Sequence, residues 1–141
     1  HLLHASDTGI QAMAENHVVA TLLPLTAFTH REPYARGREM IDRGCAVALA
    51  TDLNPGSCCS GSIPLTFALA CIYMNLSVEE AITAMTLNGA AAIGRADRIG
   101  SIEVGKQGDL VVLDADTPAI LPYYTGMNAV RNTIKRGKII Y

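Results

Sequence analysis

The run Ala46-Val47-Ala48-Leu49-Ala50 leads directly into Thr51-Asp52-Leu53-Asn54-Pro55-Gly56-Ser57. Five small aliphatic residues in succession fit a strand buried on both faces, as in a parallel sheet. Parallel strands need crossover connections, usually helices, so this stretch commits the chain to an α/β fold. The run ends in a carboxylate and breaks into an Asn-Pro-Gly turn. An Asp just past the C-terminal end of such a strand lies where the loops of an α/β barrel gather their catalytic groups. Asp52 is therefore the first residue to suspect of chemistry.

The flanking sequence supplies the crossovers. Residues 6–16 have helical spacing, with Ser6 or Asp7 as N-cap and Ile10, Met13 and Ala14 as an apolar stripe. Residues 17–23 predict a strand stopped by Pro24, followed by a polar loop through Thr29, His30, Arg31, Glu32 and Pro33. Residues 34–43 return to helical spacing with Gly44 as the stop, and 45–51 form the buried strand. Helix, strand, helix, strand implies parallel strands joined by right-handed connections. Residues 63–75 predict a nearly all-apolar helix. Ser77-Val78-Glu79-Glu80 is a capping box opening another, which runs to Asn88 or beyond and ends at Gly94.

From Ile99 the character changes to turn, strand and turn, and residues 131–141 predict a hairpin around Arg136-Gly137. The expected organisation is an α/β part over 1–98 and a small β part over 99–141. Two crossover units are too few to close a barrel, and an open pair of parallel strands leaves apolar edges unpaired. Because the chain also opens on His1 rather than Met, the expectation is a piece completed by N-terminal sequence.

Composition narrows the function class. Of 141 residues 50% are hydrophobic and 17% charged, the balance of an enzyme interior rather than of a disordered segment. A net charge of −2 gives no electrostatic reason to expect nucleic acid as a partner. The basic tail residues Arg131, Lys135, Arg136 and Lys138 alternate with apolar ones, as on a solvated strand face. No apolar run reaches the length of a membrane span, so no membrane partner is expected. Cys45, Cys58, Cys59 and Cys71 show no Cys-x-x-Cys spacing and fit free thiols in a reducing compartment, the cytoplasm.

Each candidate site residue has two readings. Asp52 is either an ordinary Asx-turn or cap aspartate, or a metal ligand and proton shuttle at a barrel mouth. Asn54, Gly56 and Ser57 form either a plain surface turn or a cradle for a carboxylate- or amide-bearing substrate, with Gly56 allowing close backbone approach. His1 and His4 lie three apart at the start, either partnerless or at a strand end like Asp52. His17 reads as structural, and His30 as a solvated loop residue or a lid contact. Cys58-Cys59 is tempting as a nucleophile, but without a base nearby in the chain small packing residues explain it. No His-x-His or His-Glu-x-x-His motif is present, so the chain alone cannot assemble a conventional zinc site.

Against these readings, 50–57 resembles the signature of the imidazolonepropionase family within the amidohydrolase superfamily. His1-Leu2-Leu3 followed by Ser6-Asp7-x-Gly9-Ile10 is similar to that family's Asp-His-Leu segment. Leu22-Leu23-Pro24 with Tyr34-Ala35-Arg36 resembles its next strand and loop, and Pro122-Tyr123-Tyr124 with Gly126-x-Asn128 its Pro-Tyr-His-x-Gly-x-Asn segment. The glycine-marked stretch 100–112 is shared across the superfamily. Tyr124 stands where the family often has His, and Cys58-Cys59 where many relatives have Ser-Pro.

The resemblance implies the last strands and helices of a (β/α)8 barrel followed by part of a small β-sandwich domain. It implies hydrolysis of 4-imidazolone-5-propanoate to N-formimidoyl-L-glutamate with one divalent metal, zinc or iron. By matching position, Asp52 would be a metal ligand and handle the proton of the attacking water. His1 would stabilise or protonate the reacting centre, and Asn54, Gly56 and Ser57 would hold the carboxylate end of the substrate. The other ligands of the family would lie upstream, so the 141 residues alone are expected to be inactive. The partner is then a small-molecule substrate, with a homodimer open for the full-length protein. Two other readings stand beside this one: a piece of another amidohydrolase such as a cyclic-amidine deaminase, and a non-catalytic α/β module.

Overall fold

The computed structural model describes residues 1–141. The first helix, α1, spans Asp7–Glu15 and starts where the Ser6 hydroxyl accepts a hydrogen bond from the Gly9 amide at 3.1 Å. It buries Ile10 completely and ends at Asn16, whose side chain donates back to the Ala12 carbonyl. His17 then turns the chain at φ +55, so strand β1 covers only Ala20–Leu22 rather than the expected 17–23. Strand β2, Val47–Leu49, pairs parallel with β1 in the register Ala20↔Val47, Thr21↔Ala48 and Leu22↔Leu49. All three β2 residues are buried, as the aliphatic run requires.

The connection between the two strands differs from expectation. Where a polar loop was expected to follow Pro24, helix α2 spans Pro24–His30. No side chain caps it, but a proline at the first helical position is pre-set for helical φ and has no amide left unpaired. Arg31 closes it in a left-handed conformation. Helix α3 covers Gly37–Asp42, shorter than the expected 34–43. The Arg38 amide donates to the Met74 carbonyl, pulling the start of α3 onto a neighbouring helix end. Gly37 packs so closely there that a Cβ would lie 2.8 Å from Leu76 Cδ1.

Helix α4, Ile63–Tyr73, is capped by the Ser62 hydroxyl on the Leu65 amide and buries 66–70. It stops short of Asn75, which takes φ +56. Helix α5, Val78–Met85, opens on the expected capping box. One carboxylate does double duty at that point. Glu80 Oε2 accepts from the Ser77 amide at 2.8 Å and from Arg38 Nη1 at 2.7 Å, while Oε1 accepts from Arg38 Nη2 at 2.9 Å. The Arg38 guanidinium holds the Glu80 carboxyl below its usual range. The helix does not continue to Gly94: it breaks at Thr86, and α6 begins anew over Leu87–Ala92. The Asn88 side chain donates to the Val47 carbonyl at 2.8 Å, tying α6 to β2.

The core lies between these helices and the parallel pair, built from Ile10, Leu22, Met40, Val47, Phe67 and Met74 among others. No buried side-chain nitrogen or oxygen is left without a partner. Past α6 the chain forms a second, antiparallel sheet in the order β3-β4-β5, from Leu110–Leu113, Val130–Lys135 and Lys138–Ile139. The hairpin joins its last two strands at Arg136 and Gly137, both at positive φ, as expected for the tight turn. A short helix not foreseen from the sequence, α7 at Ile120–Tyr123, fills the β3–β4 connection. Asp109 pins the entry to β3, accepting from Lys135 Nζ and from the Arg136 amide at 2.8 Å. All four cysteines are free thiols, and no helix is long and apolar enough to cross a membrane.

Candidate functional site

The two parallel strands set the site. Because β1 and β2 run side by side in register, the chain leaving each one emerges at the same end of the sheet. From β2 comes Asp52, at φ +55, a left-handed backbone that Asp and Asn tolerate better than most residues. From β1 comes α2, which delivers Thr26. The two meet: Thr26 Oγ1 donates to Asp52 Oδ2 at 2.7 Å. The Ser57 hydroxyl approaches the same oxygen at 3.3 Å, whereas Oδ1 receives no hydrogen bond from the chain. His1 joins this end of the sheet, with Nε2 3.6 Å from Asp52 Oδ2. That distance is too long for a hydrogen bond but short enough for ion pairing when the imidazole is protonated.

The turn after Asp52 is closed from inside by Asn54. Its Oδ1 accepts from the amides of Gly56 and Ser57, both at 2.8 Å. Its Nδ2 donates to the Asp52 carbonyl and to Ser57 Oγ, both at 2.7 Å. The Asn54 amide adds a bond to the Cys58 carbonyl at 2.8 Å. The polar groups of Asn54 are thus engaged within the loop, and its geometry is that of a clamp holding Gly56 and Ser57 in place. A Cβ at Gly56 would press to 3.3 Å on Asn54 Oδ1, so the absence of a side chain keeps the clamp shut. His30, at the end of α2, reaches the Ser57 carbonyl with Nε2 at 3.1 Å.

The structure therefore brings together His1, Asp52, Asn54, Gly56 and Ser57. His4 is exposed and His17 serves as the turn between α1 and β1; neither side chain makes a hydrogen bond or ion pair. Cys58 is buried against Leu25 and Leu69, the packing role expected of it, and Cys59 is exposed with its thiol near the Asn54 and Pro55 carbonyls. Thr26 is the polar site residue that sequence reasoning missed. Its signal was present: Pro24 as the first residue of a helix makes Thr26 a first-turn residue directly after a strand end. No three His, Cys, Asp or Glu side chains converge to hold an ion. At this end of the parallel sheet the Asp52 carboxylate stands with the His1 imidazole beside it.

A family model described as the amidohydrolase family matches residues 1–140. The chain belongs to the amidohydrolase family. Its α/β fold is that of the family: an adenosine deaminase from Xanthomonas campestris with bound zinc superposes with a TM-score of 0.88 at 26% identity. That match covers 99% of this chain and 35% of the other. Among curated amidohydrolase relatives, a protein named imidazolonepropionase from Phocaeicola vulgatus is 79% identical over 141 residues, covering 100% of this chain and 34% of its own length. One of the same name from Porphyromonas gingivalis is 64% identical over 141 residues, again across 100% of this chain and 33% of the relative. The chain spans about a third of the length of the curated relatives it matches.

Proposed function

We propose that this chain supplies the carboxylate-bearing part of a metal-dependent centre that hydrolyses 4-imidazolone-5-propanoate to N-formimidoyl-L-glutamate. The observation that carries the reading is the 79% identity, across all 141 residues, to a protein named imidazolonepropionase. In this reading β1 and β2 are late strands of a (β/α)8 barrel, and β3 to β5 belong to a small β-sandwich domain divided from it near residue 98. The open edges of the two-stranded parallel sheet support that assignment. The four free thiols support a cytoplasmic setting.

Asp52 fits one ligand position of a divalent cation, zinc or iron, because Thr26 and Ser57 engage Oδ2 and leave Oδ1 open. When bound, such an ion supplies Lewis-acid charge that makes water a competent nucleophile near neutral pH. Asp52 takes the proton of the attacking water and passes it to the ring nitrogen as the C–N bond breaks, that nitrogen keeping the bonding pair. His1 lies close enough to Asp52 to hydrogen-bond the reacting carbonyl oxygen from the same side of the site. Asn54, Gly56 and Ser57 hold the carboxylate end of the substrate: Asn54 shapes the turn, and Gly56 lets the backbone approach without a side chain in the way.

The test is a graft of these 141 residues in place of the matching third of the Phocaeicola vulgatus relative. The graft loaded with zinc or iron should consume imidazolonepropionate, and Asp52→Ala should reduce turnover to background with little change in melting temperature. A folded, metal-loaded graft that leaves this compound untouched defeats the proposal. The resemblance to the adenosine deaminase structure favours one competing outcome, release of ammonia from a cyclic amidine instead.

A further inference from the structure

Thr26 and His30 stand four residues apart on α2, one turn of helix, so they project from the same face. That face is turned toward the loop carrying Asp52. Thr26, only 5% exposed, donates to the Asp52 carboxylate at 2.7 Å. One turn later His30 Nε2 meets the Ser57 carbonyl at 3.1 Å. A carbonyl only accepts, so Nε2 carries the proton in this contact. The two bonds grip the segment 52–57 at its first and last residues. Every other hydrogen bond made by this segment is internal or to Cys58 and Cys59 just beyond it. Helix α2 is thus the one element that ties the loop to the body of the fold by hydrogen bonds.

We propose that α2 is a two-point brace, in which Thr26 positions the Asp52 carboxylate and His30 positions the turn bearing Ser57. The inference rests on Asp52 as a metal ligand and on the turn as the site of the substrate carboxylate. Asp52 lies three residues past Leu49, the last residue of β2, at a left-handed backbone angle where no strand pairing fixes its rotamer. The Thr26 hydroxyl fixes it by holding Oδ2, which presents Oδ1 outward. His30 acts at the other end, on backbone rather than on a reacting group. The two residues are positioning residues with different consequences. Loss of the first should loosen the metal and slow turnover; loss of the second should weaken substrate binding.

The experiment uses the graft described above. Thr26→Val keeps the shape and removes the hydroxyl. It should speed the loss of zinc to a chelator by about 10- to 100-fold and lower kcat with KM little changed, as loss of a partner behind a metal ligand does. Thr26→Ser should restore both. His30→Ala should raise KM about fivefold, the worth of one hydrogen bond, and leave kcat within about twofold. It should also speed amide exchange across residues 53–58, and His30→Gln should restore both readings. The brace is overturned if Thr26→Val releases zinc at the parent rate, or if His30→Ala leaves amide exchange and KM unchanged. It is equally overturned if the Ser and Gln variants fail to restore what was lost. Zinc release and amide exchange need no substrate. A wrong substrate assignment would therefore leave those two results standing, whereas a false brace would fail them even in a graft that hydrolyses imidazolonepropionate.

Discussion

Among the glycines, Gly100 leaves the least room for a side chain. It takes φ +97, and a Cβ built on it would lie 2.7 Å from Ala90 Cβ and 2.9 Å from the Thr86 carbonyl oxygen. Both penalties act together on any side chain, the unfavourable φ and a collision with backbone that cannot move aside. Gly100→Ala should therefore destabilise the fold by about 3 kcal/mol, read from denaturant unfolding, and a loss under about 1 kcal/mol would contradict the packing described. Asp52 presents the opposite case among residues at positive φ. Its backbone is one that Asp adopts at modest cost, so Asp52→Asn is the substitution that keeps the loop while removing the charge. Thr26 also belongs at this scale. It lies 26 positions before its partner, so the local signal of Pro24 places it in a first helical turn but does not show which carboxylate it meets.

Elements were legible where a side chain announces their ends. Ser6 and the Ser77–Glu80 box each accept the hydrogen bond expected of a cap, and α1 and α5 begin where these residues stand. The Arg136-Gly137 turn was legible for the same local reason. Helix α2 was not, because Leu23 caps it without a side-chain bond and Pro24 doubles as a strand stop. The break at Thr86 was hidden as well: the tie that holds α6 beside it runs from Asn88 to a carbonyl of β2, 41 residues earlier. The candidate site divides along the same line. Asp52 shows in the sequence as a strand end, whereas its meeting with Thr26 exists only once β1 and β2 have paired. The second sheet carries a pH signature of its own. Lys135 above all, with the Arg136 amide, holds the Asp109 carboxyl at about 2, against an ordinary 3.8. A lowered pKa means that the ionised form is favoured by folding. The stabilisation is then full above pH 3.8 and fades as pH falls toward about 2. Melting curves of the parent and Asp109→Asn should differ at neutral pH and converge across that window; a constant gap would rule out the titration of Asp109 as its source.

Across the whole molecule, two kinds of order meet at Glu80. Its carboxylate completes a local capping box within three residues and also takes both arms of a guanidinium 42 positions away. The Arg38–Glu80 pair joins α3 to the first turn of α5 at the surface of the molecule. The shared carboxylate has a consequence in time. The contact inside α5 closes a loop of three residues and can form early, while the contact to Arg38 must wait for α3 to dock. Removing the early one should slow refolding, and removing the late one should mainly hasten unfolding. In stopped-flow chevrons, Ser77→Ala, which opens the same capping box by removing the hydroxyl that accepts from the Glu80 amide at a cost of about 1 kcal/mol, should move the folding limb, and Arg38→Met the unfolding limb. If both moved the same limb, the two contacts would form together. Glu80 would then act as a late latch, and the first turn of α5 would form only when α3 arrives.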